Sequence, residues 1–265
     1  MLKKATEDNR NEIMNYCLVE PSINLFIIGD IENFGFNSSF QEIWIQTKEE
    51  KITGIILRYH DNFIVYSKEL DMDVNEILAL LKTKEVNVIS GKLSVIELIY
   101  PSVKDQYSKR EMFFCELKDS SKLKLDTEEV EIAQFEDAMD IANVYGDIKE
   151  FKGMYSTDVQ ERYNQISNRI KTKEGIHMFI KEQGNIISHG NTTAETSVSG
   201  MIGGILTVSS HRNRGLASKV VSALGRSLII RGKSACLFFD NVEAGRLYYN
   251  LGFEHIDKWA ILGRK

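Results

Sequence analysis

Hydrophobic residues in the first half of the chain recur with helical and strand-like spacings that alternate several times. Apolar positions three or four residues apart predict helices over 9–19, 74–81 and 93–99, and Pro101 is expected to stop the last of these. Alternating apolar and polar positions predict strands over 42–47, 52–59, 62–66, 86–90 and 111–117. Asp73 and Glu76 have the spacing of a capping box at the start of the second helix.

The second half shows a similar order of elements after a polar segment, residues 118–129, that has no apolar periodicity. Its predicted strands cover 130–133, 176–181, 186–192, 199–207, 235–239 and 254–262, and its predicted helices cover 136–144, 158–170, 215–230 and 241–251. The polar segment predicts a domain boundary, which gives two α+β domains at residues 1–120 and 128–265.

Composition and charge narrow the class of protein. The 265 residues are 43% hydrophobic and 27% charged, which is typical of globular domains and excludes a disordered chain. A net charge of −5 argues against a protein that coats nucleic acid or an anionic membrane with its whole surface. The N-terminus is polar and no apolar run reaches ~18 residues, so no signal peptide or transmembrane helix is expected. The three cysteines lie far apart and the five histidines lack ligand spacing, so we expect a cytoplasmic protein without disulfides or metal.

One segment of this acidic chain, residues 196–239, contains six basic residues and no Asp or Glu. Within it, His211, Arg212 and Arg214 lie between a predicted strand and the start of the predicted helix over 215–230. The positive end of a helix dipole favours acidic neighbours, so arginines at this point indicate a bound phosphate or pyrophosphate. The alternative is a chance cluster of charges on a solvated face. The glycine patterns of nucleoside-triphosphate and dinucleotide sites are absent, which argues against both of those ligands.

Two motifs in this region resemble those of the GNAT superfamily of N-acetyltransferases. Arg212, Gly215 and Ala217 match its R-x-x-G-x-A acyl-CoA loop, and residues 241–253 match its N-x-x-A-x-x-L-Y-x-x-L-G-F helix. The resemblance implies tandem GNAT-like domains, each with a mixed, mostly antiparallel sheet flanked by helices. The layout also resembles that of two-domain glycine N-acyltransferase-like proteins, with a degenerate first domain and a catalytic second one. Acidic residues within 67–73 would repel a pyrophosphate at the equivalent junction of the first half.

The resemblance further implies acetyl-CoA as the acyl donor, an amine as the acceptor and no metal. Tyr248 would protonate the CoA sulfur, and Asn241 would help to place the cofactor. The pantetheine arm would lie along Ile205, Leu206 and Thr207. The pyrophosphate would be wrapped by the motif arginine Arg212 together with Asn213, Arg214, Gly215, Leu216, Ala217 and Ser218. A bulge at Gly203 and Gly204 would separate two strands, as in this superfamily.

The sequence does not identify the general base, and it allows structural alternatives for Tyr248 and Asn241. The predicted strand over 199–207 contains no Glu, the frequent base of the superfamily, and Glu195 and His189 on neighbouring strands are the candidates. By spacing alone, Tyr248 also fits a core position and Asn241 an N-cap. We therefore predict an acetyltransferase acting on a small-molecule amine or a peptide, with no nucleic-acid or membrane partner and the oligomeric state open. A non-catalytic acyl-CoA-binding or regulatory protein is the alternative, and nucleic-acid binding through the basic segment is a third.

Overall fold

The computed structural model describes residues 1–148, 151 and 155–265, which fall into two units. The first unit comprises Met1–Cys115, Phe238–Asp240 and His255–Lys265, and the second comprises Glu116–Leu237 and Asn241–Glu254. In each unit, strands of mixed direction are flanked by α-helices, as the order of elements predicted.

The first unit has a sheet in which most neighbouring strands are antiparallel. Its helices are α1 (Arg10–Cys17), α2 (Leu25–Phe34), α3 (Val74–Lys82) and α4 (Leu93–Val103). Its strands are β1 (Leu2–Lys4), β2 (Gln41–Lys48), β3 (Lys51–Tyr59), β4 (Asn62–Tyr66), β5 (Val88–Lys92), β6 (Tyr107–Leu117) and β12 (Glu254–Arg264). The strand order is β1-β2-β3-β4-β5-β12-β6, with β4 and β5 parallel. Asp73 caps the start of α3, because its side chain accepts hydrogen bonds from the backbone N–H groups of Asn75 and Glu76. The reciprocal half of the predicted capping box is not formed, since the Asp73 N–H donates to the Gln46 Oε1 and not to Glu76.

Helix α4 continues through Pro101, so the prediction that this residue ends the helix is wrong. A proline inside a helix removes one N–H donor and crowds the preceding turn, at a cost of ~3 kcal/mol. The residues around it recover this cost by burial, since Ile96 and Ile99 are fully buried and Val103 packs against the same core.

The last strand of the chain belongs to the first unit. β12 pairs antiparallel with β5, from Trp259 opposite Lys92 to Gly263 opposite Val88, and it lies between β5 and β6 in the strand order. The sequence predicts residues 255–265 to be part of the second domain, whereas hydrogen bonding places them in the first unit. The boundaries at 1–120 and 128–265 otherwise stay predictions.

The second unit has one parallel pair in an otherwise antiparallel sheet. Its strands are β7 (Glu131–Ile132), β8 (His177–Glu182), β9 (Asn185–Thr193), β10 (Ser199–Thr207) and β11 (Ser234–Phe239). Its helices are α5 (Ala138–Asp147), α6 (Val159–Thr172), α7 (Leu216–Ile230) and α8 (Val242–Asn250). The strand order is β11-β10-β9-β8-β7, and β10 is parallel to β11 because α7 connects them as a crossover.

The two faces of this second sheet are covered by different helices. On one face, Ile141 of α5 and Ile166 of α6 pack with Phe179 and Leu206 of the sheet. On the other face, α7 packs its apolar stripe against β9 and β10. Gly190 lies under this stripe, and a Cβ there would meet side chains of α7 and β10. The absence of a side chain at this position therefore allows the helix to approach the sheet closely.

Helix length, the placement of possible metal ligands and the state of the cysteines bear on the remaining predictions. None of the helices within the described ranges is both long enough and apolar enough to cross a bilayer. Within those ranges, no group of three or more His, Cys, Asp or Glu side chains is placed to hold a metal ion. Cys17, Cys115 and Cys236 are buried, and no disulfide joins them.

Candidate functional site

Strand β10 leaves its parallel partner partway along its length. The pairing of β10 with β11 ends at Met201 opposite Cys236. Beyond that point the register of β10 against β9 shifts between Gly203 and Leu206, and Gly204 has φ +60°. A residue with an L side chain rarely adopts this φ, so glycine suits the bulge. The bulge lies where β10 has separated from β11. The bulge predicted from the sequence is therefore present.

A cavity of about 520 Å³ opens beside the C-terminal end of β10. The loop after β10, the start of α7 and one face of α8 form most of its wall. The predicted site residues that line it are Ile205, Leu206, Thr207, Arg212, Asn213, Gly215, Leu216, Ala217, Ser218, Asn241 and Tyr248. Of the predicted residues, Arg214 and Glu195 are not among the described side chains that line this cavity.

The loop between β10 and α7 presents a run of backbone N–H groups. The Arg212 Nε donates to the Thr207 carbonyl at 3.2 Å, which ties the loop to the end of β10. Asn213 has φ +62° and Gly215 has φ +76°, and Gly215 is the N-cap of α7. Within the described residues, the N–H groups of residues 213–218 donate to no backbone acceptor. Unpaired N–H groups at the positive end of a helix dipole form an anion-binding site.

One carboxylate contacts two basic side chains of this loop, Arg214 and His211. Arg214 Nη2 and His211 Nε2 lie 2.9 and 2.7 Å from the two carboxylate oxygens of Glu182, at the end of β8. The hydrogen bond from Arg214, and then that from His211, lowers the pKa of Glu182 below its ordinary value. Arg214 is thus an ion-pair partner in this structure, on the outer side of the loop.

The basic segment predicted from the sequence does not form one positive surface. Lys219 pairs with Asp126 and Glu129, while Arg231 and Lys233 both pair with Glu195. Acidic residues from outside the segment therefore neutralise these cations. Charge counted along a segment does not reveal which residues meet in space, so these ion pairs could not be predicted from the sequence.

Helix α8 brings an amide and a phenol to the cavity. The Asn241 side chain accepts a hydrogen bond from the Glu243 N–H at 2.8 Å, so Asn241 is the N-cap and also lines the cavity. Tyr248 is 7% exposed, and its ring packs edge-to-face on Phe253 at 5.9 Å between centroids. Burial raises the pKa of Tyr248 to about 12, so the phenol keeps its proton at neutral pH.

The chain is similar to known proteins in its fold. Residues 191–261 match the family described as FR47-like protein. No curated protein matches the chain in sequence. An acetyltransferase of the GNAT family from Colwellia psychrerythraea is similar over 100% of both chains, at 15% identity and a TM-score of 0.58. A tandem GNAT protein from the clavulanic acid biosynthesis pathway is similar over 99% of this chain and 97% of its own, at 9% identity and a TM-score of 0.59.

A Drosophila protein is similar over 100% of this chain and 98% of its own, at 13% identity and a TM-score of 0.71. The chain has the tandem GNAT fold. The GNAT resemblance predicted from the two motifs is thereby confirmed at the level of the fold.

Glu195, a predicted base of the GNAT reaction, lies near the start of β10, at the opposite end of that strand from the loop. Its carboxylate accepts hydrogen bonds from Thr192 Oγ1 at 2.7 Å, from Arg231 at 2.7 Å and from Lys233 at 3.2 Å. Burial alone would raise the pKa of Glu195, but the hydrogen bonds from Arg231 and Thr192 outweigh it and lower the pKa. These contacts give Glu195 a structural role that accounts for its position.

His189, the other candidate base, belongs to a buried polar cluster at the bulge. Its Nε2 lies 3.1 Å from the Nδ1 of His177, and its Nδ1 lies 3.3 Å from the Gly204 carbonyl oxygen. Tyr145 Oη donates to the Asn191 Oδ1 at 3.2 Å and lies 3.4 Å from the His189 Nδ1. Burial holds the pKa of His189 well below its ordinary value and lowers that of His177 to about 4. Both imidazoles are therefore neutral at pH 7.

Tyr145, His177 and Asn191 belong to neither sequence motif and come from three separate elements, α5, β8 and β9. The sequence of β9 carries one indication of this cluster. His189 and Asn191 alternate with Ile187 along the strand, so all three side chains lie on the same face of the sheet. Polar residues on a core-facing side of a strand indicate a buried network, although their partners cannot be named without the fold.

Proposed function

We propose that this protein transfers an acetyl group from acetyl-CoA to an amine. The observation that carries the proposal is the run of N–H groups at residues 213–218, which donate to no described backbone acceptor and lie beside a 520 Å³ cavity that the buried Tyr248 also lines. The separation of β10 from β11 beyond Met201 supports the proposal, because the superfamily resemblance implies two separated strands at an acyl-CoA site.

Binding of the donor follows from the polarity of the cavity. The N–H groups of residues 213–218 and the positive end of the α7 dipole would hold the pyrophosphate. Arg212, fixed to the Thr207 carbonyl, would add a guanidinium charge. The pantetheine arm would lie along Ile205, Leu206 and Thr207, because the separation of β10 from β11 leaves this edge of β10 free to pair like an added strand.

The transfer step forms one bond and breaks another. The amine nitrogen attacks the thioester carbonyl, a C–N bond forms, and the C–S bond of the donor breaks. The nitrogen loses a proton to solvent, the leaving thiolate takes a proton from the Tyr248 phenol, and the phenolate then regains a proton from solvent. Because burial keeps Tyr248 protonated through the neutral range, it fits the acid role. Backbone groups of the bulge would polarise the thioester carbonyl.

The proposal does not require Glu195 as the base. Three hydrogen-bonding partners hold its carboxylate near the start of β10, and its lowered pKa makes it a weak acceptor of protons. The sequence suggests it only because no acid occurs in β10. That same absence favours the second candidate function, a non-catalytic acyl-CoA-binding protein.

A comparison of Tyr248→Phe with Tyr249→Phe separates the two functions. The neighbouring Tyr249 is 43% exposed on the same helix and is the matched control. For an enzyme we expect Tyr248→Phe to slow turnover by a factor of about 10²–10⁴ and to keep the stabilisation by acetyl-CoA, since the removed hydroxyl acts as an acid and not as an anchor. Thermal unfolding with and without acetyl-CoA measures binding, and release of free thiol measures turnover. Binding without turnover for any amine would favour the non-catalytic function, and no stabilisation by acetyl-CoA would overturn both.

A further inference from the structure

A second cavity, of about 340 Å³, lies in the first unit beside the C-terminal ends of α3 and α4. Residues at the start of β5 and at the end of β12 complete its wall, and every residue that lines it belongs to the first unit. Its volume is at the lower end of the range for small-molecule sites. None of its lining residues belongs to either GNAT motif or lines the 520 Å³ cavity of the second unit.

The inner wall of this cavity is apolar. It consists of Leu78, Leu81, Val86, Ile89, Val103 and Tyr107, which belong to the core of the first unit or pack against it. Tyr107 is buried and donates its hydroxyl proton to the Val86 carbonyl at 2.9 Å, so it presents its ring to a ligand. Water is poorly accommodated between apolar groups, whereas burial of an apolar ligand surface there is favourable.

The charged side chains at the rim of the cavity are all basic. They are Lys82, Lys84 and Arg264, and among the described residues no Asp or Glu lines the cavity. The Lys84 ammonium shares the carboxylate of Glu42 with Lys4 and Arg58, at distances between 2.7 and 2.8 Å. One carboxylate therefore faces three cations, which leaves an excess of positive charge at this side of the cavity.

Two of the three rim cations form no ion pair within the described ranges, namely Lys82 and Arg264. Lys82 lies in the last turn of α3, where the helix carbonyls favour a cation, so its position has a local explanation. Arg264 belongs to a strand, so the dipole of a helix does not explain it. Its backbone N–H donates to the Asn87 carbonyl at 3.0 Å, which fixes the end of β12 beside the cavity.

The guanidinium of Arg264 lies near the apolar wall. Burial raises the pKa of Tyr107, and the positive charge of Arg264 partly opposes this effect. The cavity therefore combines an apolar interior with a positive group at its opening, which is complementary to an amphiphilic anion.

We propose that this cavity binds a small organic anion with an apolar body and a single anionic head. The body lies against the inner wall, and the head, a carboxylate or a phosphate, meets Arg264 and Lys82 at the rim. A guanidinium offers parallel N–H donors to either head group and so orients the ligand. The site does not depend on the proposed acetyl transfer, because its residues belong to the other unit.

The first test varies the head group on one apolar body. Octanoate and octyl phosphate carry the two head groups, octanamide is the uncharged reference, and titration calorimetry of the full chain measures binding. We expect the better of the two anions to bind at least about tenfold more tightly than octanamide, because hydrogen bonds to a charged group are the stronger ones. The comparison of the two anions then identifies the head group. Failure of both anions to bind, or binding no tighter than that of octanamide, would overturn the proposal.

The second test varies the length of the apolar body on the preferred head group. Butyl, hexyl and octyl chains differ only in methylene groups, and each buried methylene should tighten binding by up to about fourfold. An affinity that does not rise with chain length would mean that surface charge alone attracts the anion, which would overturn a site inside the cavity.

Variants at the rim locate the bound anion. Arg264 is exposed, so Arg264→Gln should unfold at the wild-type temperature and weaken binding of the anion by about tenfold or more. Lys82→Gln is a second variant at the rim and should weaken binding by a smaller factor. Lys104 is an exposed cation after α4 that does not line the cavity, so Lys104→Gln should leave binding unchanged. Unchanged binding in both rim variants, or an equal loss in Lys104→Gln, would contradict the proposed site.

Acetyl-CoA distinguishes this site from the 520 Å³ cavity. Arg264→Gln should keep the full stabilisation by acetyl-CoA in thermal unfolding, and saturating acetyl-CoA should leave the affinity for the anion within about twofold of its value without acetyl-CoA. Competition between the anion and acetyl-CoA would mean that the anion binds at the loop of residues 213–218, and the proposal would fail.

Discussion

Replacing Glu195 by Gln should destabilise the second unit without slowing turnover. The carboxylate is 15% exposed and is shared by Arg231, 37% exposed, and Lys233, 19% exposed. In the variant, the amide oxygen can still accept from Thr192, but the amide N–H₂ group faces two cations. An exposed ion pair contributes at most about 1 kcal/mol, and removal of one partner from a buried pair costs about 3–5 kcal/mol. This site is intermediate in exposure, so we expect the free energy of unfolding to fall by about 2–3 kcal/mol.

Denaturant unfolding at pH 7 measures this loss, with Glu174→Gln as the control. Glu174 is exposed on the same unit, and its substitution should change stability by less than about 0.5 kcal/mol. The pKa of Glu195 is lowered in the folded protein, so its contribution is present above the unfolded value of ~4.3 and is lost as pH falls toward the folded value. The difference between wild type and Glu195→Gln should therefore shrink below about pH 4. Turnover slowed by about a hundredfold or more, with unchanged stability, would refute this reasoning and identify Glu195 as a base.

Two further predictions concern the bulge and the first unit. Gly204→Ala should destabilise the protein by at least about 2 kcal/mol and abolish turnover, because φ +60° is strained for alanine and its Cβ would meet the Tyr145 hydroxyl and the Asn191 amide. A Cβ at Gly203 meets nothing within 4 Å, so the control Gly203→Ala should leave stability nearly unchanged. Equal effects of the two substitutions in thermal unfolding and turnover would contradict this geometry. Burial would raise the pKa of Glu42, but hydrogen bonds from Lys4 and Lys84 outweigh it and lower the pKa to about 2. The stabilisation from Glu42 should therefore be present above ~pH 4.3 and be lost between about pH 4.3 and 2, and Glu42→Gln should remove this part of the acid transition in denaturant titrations.

Features that depend on a few neighbouring residues could be predicted from the sequence, and two of them occur in the structure where they were expected. Asp73 caps the helix that follows it, and the glycine pair at 203–204 forms the bulge. Both depend on one residue or two neighbours and on their own backbone conformation. Helix α2 was missed for the related reason that its local signal is weak, since apolar residues on several of its sides are buried and no polar stripe marks the period.

Features that depend on residues distant in sequence could not be predicted. The partners of Glu195 are Arg231 and Lys233, more than 30 residues away, so no local pattern indicates that this carboxylate is already occupied. The buried polar cluster at the bulge likewise combines residues of α5, β8 and β9, namely Tyr145, His177, His189 and Asn191. At Pro101 a local preference gave a wrong prediction. Proline disfavours a helix interior, but burial of the surrounding residues of α4 in the core outweighs this preference.

The position of β12 determines when the first unit can complete its sheet during synthesis. A ribosome must make residues 1–253 before the strand that separates β5 from β6 exists, so β5 and β6 have exposed edges while the second unit is being translated. Unpaired strand edges are prone to associate with other chains, and contacts between residues this far apart in sequence form slowly. A stop codon or frameshift near residue 254 would spare most of the second unit, yet it would leave the first unit unable to finish folding.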